Sequence, residues 1–135
     1  MATEHQTNPA ARLGFQPGQV VLEIGYDDDV DHDLRKAIEE ITGKDLVDRG
    51  DSVADAAVVW FREDDGYLSD VLVEAVALIE DGGIIWSMTP KHGRPGYMES
   101  SDINEAAQTA GLSLTKSVSA AEAWNGCRMV VSKPY

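Results

Sequence analysis

The stretch Gln19-Val-Val-Leu-Glu-Ile-Gly25 constrains this chain more than any other. Its apolar residues are almost continuous, which suits a strand covered on both faces. The glycine that closes it leads into an amphipathic pattern, in which Val30, Leu34, Ala37, Ile38 and Ile41 fall at helical spacing. Asp29 or Asp31 is placed to cap that helix, and Gly43 to end it. Strand, turn and helix in this order open an α/β sheet, and the first turn is where such folds usually hold a nucleotide.

The same alternation continues downstream. Leu46-Val47 predicts a short second strand with Asp48 at its end, and Arg49 to Ala54 a loop or one helical turn. Ala56 to Phe61 predicts a buried strand, Arg62 to Gly66 a turn, and Leu68 to Ile79 an amphipathic helix stopped by Asp81-Gly-Gly83. Ile84 to Met88 predicts the next strand, and Thr89 to Tyr97 a loop with two prolines and two glycines. Ser100 or Ser101 is expected to cap a third helix, with Ile103, Ala106, Ala107 and Ala110 as its buried stripe and Gly111 at its end. Leu112–Ala120 and Gly126–Ser132 predict two strands close enough to pair antiparallel.

The reading is therefore a Rossmann-like α/β fold: a mostly parallel sheet, helices on both faces, and a C-terminal antiparallel strand pair. Residues 1–12 are polar and aperiodic and are expected to form a flexible arm, with residues 13–135 as a single domain and Phe15 tucked under the sheet.

Charge and cysteine content narrow the function. The 24 acidic residues against 11 basic ones give a net charge of −13. Such a surface repels phosphate backbones and anionic lipids, so neither direct nucleic-acid binding nor membrane binding is expected. A lone cysteine, Cys127, rules out an intramolecular disulfide and fits a reducing compartment. No apolar run reaches membrane-spanning length and no signal pattern opens the chain, so a cytoplasmic protein is expected.

Val-Val-Leu-Glu-Ile-Gly25 resembles the first motif of class I S-adenosylmethionine-dependent methyltransferases, and the element order over roughly residues 19–133 resembles a shortened version of that fold. The resemblance implies a cofactor crevice at Gly25 and Tyr26, with Asp48 in the place of the acid that holds the ribose hydroxyls. The sequence departs from the motif immediately: Tyr26, Asp27, Asp28 and Asp29 stand where the family has further glycines. Side chains there occupy the cofactor's space, and carboxylates repel its carboxylate. No bound cofactor is expected.

The chain also resembles a narrower group, small acidic actinobacterial proteins known only as a domain of unknown function. Leu13-Gly-Phe15, Val21 to Asp29, Asp55 to Trp60 and Ile85 to Lys91 carry that likeness. One relative is described as an oxidative-stress regulator that works with an alternative sigma factor and senses oxidation through an N-terminal cysteine pair. Residues 1–15 here contain no cysteine, so that redox switch is absent, while a regulatory, protein-binding role remains what the resemblance implies.

Among the remaining candidates, Asp27, Asp29 and Asp31 mimic the start of a calcium loop, but His32 stands where the loop needs glycine and Ile38 where it needs glutamate. Helix capping is the simpler role, and no metal is expected. Lys91, His92 and Arg94 form the most basic patch, in a loop at the carboxyl end of a strand, where a ligand or an acidic partner segment would be received. His92 could serve as an acid or base, yet no partner can be assigned to it by spacing. His5, His32 and Cys127 show no metal-ligand spacing, and no serine stands in a nucleophile elbow. Trp60 and Trp86 are expected in the core, Cys127 buried, and Trp124 more exposed near the edge pair.

Two functions follow. The first is a non-catalytic regulatory or interaction module on a degenerate methyltransferase-like scaffold, with a protein partner, the transcription machinery being one candidate. The alternative is a small-molecule-binding or methyltransferase-like enzyme using the crevice around Gly25, Asp48 and the Lys91–Gly96 loop. A homodimer through an exposed sheet edge is compatible with either.

Overall fold

In the computed structural model, residues 9–48 and 53–131 are described. The elements are α1 (Pro9–Arg12), β1 (Val21–Ile24), α2 (His32–Thr42), β2 (Ala54–Trp60), α3 (Leu68–Leu78), β3 (Ile79–Pro90), α4 (Ser100–Thr109), β4 (Leu112–Ser119) and β5 (Trp124–Val131). A 3-10 turn, Glu63–Asp65, lies between β2 and α3.

The sheet order is β1-β2-β3-β5-β4. β1, β2 and β3 run parallel, and β5 enters antiparallel between β3 and β4. The expected second strand is a single parallel bridge, Val47 to Leu22, on the outer side of β1. The chain thus leaves β1 toward Val47 on one side and returns to β2 on the other. That reversal makes the carboxyl ends of β1 and β2 the topological switch point.

Alternation along β2 divides the core. Ala56, Val58 and Trp60 face one layer with Leu34, Ala37 and Ile38 of α2. Ala57 and Val59 face the other layer with Leu72 and Ala75 of α3 and Ile103 and Ala107 of α4. Both sheet faces are covered, as the continuous apolar strands require. The Asp31 side chain accepts from Leu34 N at 2.8 Å and caps α2, and Gly43 ends it at φ +77°.

Four expectations change. Residues 9–12 of the expected arm form α1, with Ala10 fully buried and Trp86 Nε1 donating to Leu13 O at 3.0 Å just beyond it; residues 1–8 lie outside the described residues. Ile79 belongs to β3, because it pairs with Ala54 as soon as α3 ends, and residues 80–83 bulge out before Ile84 rejoins opposite Ala56. Glu99, in extended backbone, is the N-cap of α4 without a side-chain cap bond, so Ser100 and Ser101 already sit within the helix. Trp124 is 3% exposed instead of lying open at the edge. Its ring meets Trp60 edge to face at 5.0 Å, and its indole N–H donates to Asp29 O at 3.1 Å. Phe15, Trp60, Trp86 and Cys127 are buried as expected. The predicted Arg49–Ala54 loop falls mostly outside the described residues.

Candidate functional site

The switch-point crevice begins at Gly25, which leaves β1 at φ +86°. A methyl group there would lie 2.1 Å from the carbonyl oxygen of Trp60. The glycine is thus required by the close approach of two strand ends in the free protein.

Arg62, the second residue after β2, fills the space above that contact. Its Nη1 donates to Gly25 O at 2.8 Å and to Trp60 O at 3.2 Å. Nε donates to Asp29 at 3.0 Å, Nη2 also donates to the Asp29 carboxylate, and Nη1 reaches Asp65 at 3.2 Å. The guanidinium lies 5.3 Å over the Trp124 ring. Its side chain is only 13% exposed. The neighbouring loop closes on it: Glu63 N donates to Gly96 O at 3.0 Å, and a Cβ on Gly96 would come within 2.8 Å of Arg62 Cβ. Hydrogen bonds from Arg62 hold the Asp29 carboxyl below its ordinary range, against a smaller opposing push from burial. The hydrogen bonds and charges of Asp29 and Asp65 raise the Arg62 guanidinium, although burial, the largest single influence, acts the other way.

What remains open at this point is a cleft of about 290 Å³ lined by Gly25, Tyr26, Asp27 and Arg62 among others. Pockets for small molecules span about 300–1,000 Å³, so this cleft is at the lower limit.

Beneath the crevice lies a buried polar network in β1. Glu23 is 7% exposed. Its carboxylate accepts from Arg35 Nε at 2.6 Å, Arg35 Nη2 at 2.8 Å and the Trp60 indole N–H at 2.9 Å. Arg35 also lies 4.7 Å over the ring of Tyr26, which stands 52% exposed at the rim.

The predicted site residues separate. Gly25 and Tyr26 share the crevice. Asp48 follows Val47 on the far side of β1, is exposed, and does not line it. Lys91, His92 and Arg94 form a turn at the end of β3, tied by Lys91 N to Ala123 O at 3.0 Å and by the His92 ring edge-on to Tyr97 at 4.9 Å. Arg94 lines a separate cleft of about 290 Å³ with Asp29 and Trp124. The aspartates divide their work: Asp27 accepts from Asp28 N, Asp29 pairs with Arg62, and Asp31 caps α2. The residues missed from sequence are Arg62, Glu23, Arg35 and Trp124. One signal was available: a glutamate inside a strand covered on both faces needs a buried cationic or N–H partner.

Strand order, switch point and closing antiparallel strand define a methyltransferase-like α/β protein. The structure resembles the CcbJ methyltransferase from Streptomyces caelestis (TM-score 0.59, 11% identity, 93% of this chain and 94% of that one). It also resembles a putative methyltransferase from Thermoplasma acidophilum (TM-score 0.57, 11% identity, 90% and 72%). The pyocyanin biosynthetic protein PhzM superposes with a TM-score of 0.69 at 10% identity over 93% of this chain and 54% of that one. At these identities the likeness is one of fold. The chain belongs to the DUF3052 family, described as protein of unknown function, whose model matches residues 10–133. It is 42% identical to the uncharacterized proteins Rv2239c of Mycobacterium tuberculosis and Mb2263c of Mycobacterium bovis, over 98% of this chain and 84% of theirs. Among the described residues, no helix is long and apolar enough to cross a membrane.

Proposed function

We propose that this chain is a non-catalytic module on a methyltransferase-like fold that acts by binding another protein. The observation that carries this reading is Arg62: its guanidinium bonds to both strand-end carbonyls, Gly25 O and Trp60 O, where a cofactor's polar end would approach the backbone. The same group is neutralised by Asp29 and Asp65, so it is not free to receive a ligand carboxylate. A methyl donor entering here would have to displace a charge-paired, largely buried side chain and lie beside Tyr26 and Asp27.

Interaction with a protein is supported by the surface. Tyr67 is 77% exposed, Val73 53% and Tyr26 52%, on a chain of net charge −13. Scattered exposed apolar side chains on a strongly acidic body favour a basic protein partner over a nucleic acid. The transcription machinery is the class of partner that the likeness to a sigma-factor-associated regulator implies. A regulatory role in stress response belongs to the same proposal. The test is affinity capture by the tagged protein from native lysate of its own host. A stoichiometric partner, released by raised salt, is expected; recovery of none would count against the reading.

A further inference from the structure

Another cavity lies away from the Arg62 crevice, on the α4 face of β3, β5 and β4. Strand register builds its floor. Thr89 pairs with Asn125, and Asn125 with Ser119. One rung further in, Ser87 pairs with Cys127, and Cys127 with Ser117. Side chains two residues apart on a strand share a face. Six small polar side chains therefore sit side by side on a sheet face that is otherwise apolar, packed by α3 and α4.

Folding alone does not explain this patch. The Ser87 hydroxyl, one rung behind the cavity and not part of its lining, is fully buried and has no hydrogen-bond partner among the described residues. A buried hydroxyl without a partner, as at Ser87, is uncommon in native proteins, because it loses its water without recompense. Thr89 is 2% exposed and lines the cavity, where its hydroxyl is open to a ligand or to water. The partly buried Asn125 also lines the cavity, and Ser117 and Cys127 meet at 3.6 Å. Tyr97, Met98 and Ile103 complete the lining of this open cleft of about 330 Å³.

We propose that this cavity binds a small, uncharged, planar heterocycle with an amide-type edge, of the size of a nucleobase. Among the described residues, no charged side chain lines the cavity. Burial raises the Cys127 thiol, so it stays neutral as well. Asn125 offers a donor and an acceptor side by side, flanked by two hydroxyls, on neighbouring strands about 4.8 Å apart. That row matches a flat edge carrying alternating donors and acceptors. Met98 and Ile103 supply apolar contact for the ring faces. The site is independent of the methyl-donor crevice and of the protein partner.

The test is titration of the full chain with uracil, read by NMR at the Met98 and Ile103 methyl groups. Saturable shifts at these methyls are expected. The near-isosteric Thr89→Val should weaken binding roughly tenfold, the loss expected for one neutral hydrogen bond left unmade. Asn125→Leu provides a second variant should the first perturb folding, and uridine monophosphate should bind more weakly than uracil. No shift at millimolar uracil would overturn the proposal. So would binding unchanged in both variants, or tighter binding of the nucleotide.

Discussion

Gly25→Ala is expected to destabilise the protein by about 3 kcal/mol or more, enough to leave a domain of this size only marginally folded. Two costs combine. At φ +86° the alanine backbone is strained, by about 1–2 kcal/mol in the left-handed region. The added Cβ would also lie 2.1 Å from Trp60 O, an atom of the central sheet that cannot rotate away. Gly93 provides the control: its φ is +87°, but no atom of the described residues lies within 4 Å of where an added Cβ would stand. Gly93→Ala should therefore cost only the strain, about 1 kcal/mol. Urea denaturation of both variants checks the difference. Equal midpoints would mean that β1 and β2 do not meet as closely as described.

Glu23→Ala should be almost as damaging, at about 3 kcal/mol, because it removes one partner from a buried ion pair. Arg35 would lose the carboxylate that neutralises it, and the Trp60 indole N–H the acceptor it bonds to. Arg35 is 24% exposed, so water relieves part of the loss and the cost falls at the low end for such pairs. Glu23→Gln keeps an acceptor for the indole and should cost less, about 1–2 kcal/mol. Adding Arg35→Ala to Glu23→Ala should cost little more, since the orphaned charge leaves with it. Additive losses in that double-mutant cycle would show that the two side chains do not act together.

These two residues also show how far the sequence can be read. Gly25 stood out because an apolar run ended on it, and the turn, the alternation of strands and helices along the chain and the two-sided core followed from hydrophobic spacing. Asp31 and Gly43 were legible as caps because capping is a local, short-range chemistry. The reason for Gly25 was not legible: it depends on Trp60, 35 positions later, across a strand pairing that only the fold creates. Arg62 read as one charge in a turn, since nothing local says that its guanidinium reaches back to Gly25 and Asp29. Trp124 was placed at an open edge because the partner that buries it, Trp60, comes from β2. The polar patch on β3, β5 and β4 was invisible for the same reason, as its six residues converge only through register.

If Arg62 occupies the place of a methyl donor, the crevice leaves one only a small cleft and no free positive charge. Calorimetric titration of the purified protein with S-adenosylmethionine and with S-adenosylhomocysteine is the sharpest check. No saturable heat is expected from either. A micromolar isotherm, lost on substitution of Gly25, would contradict this reading and return the crevice to an enzyme.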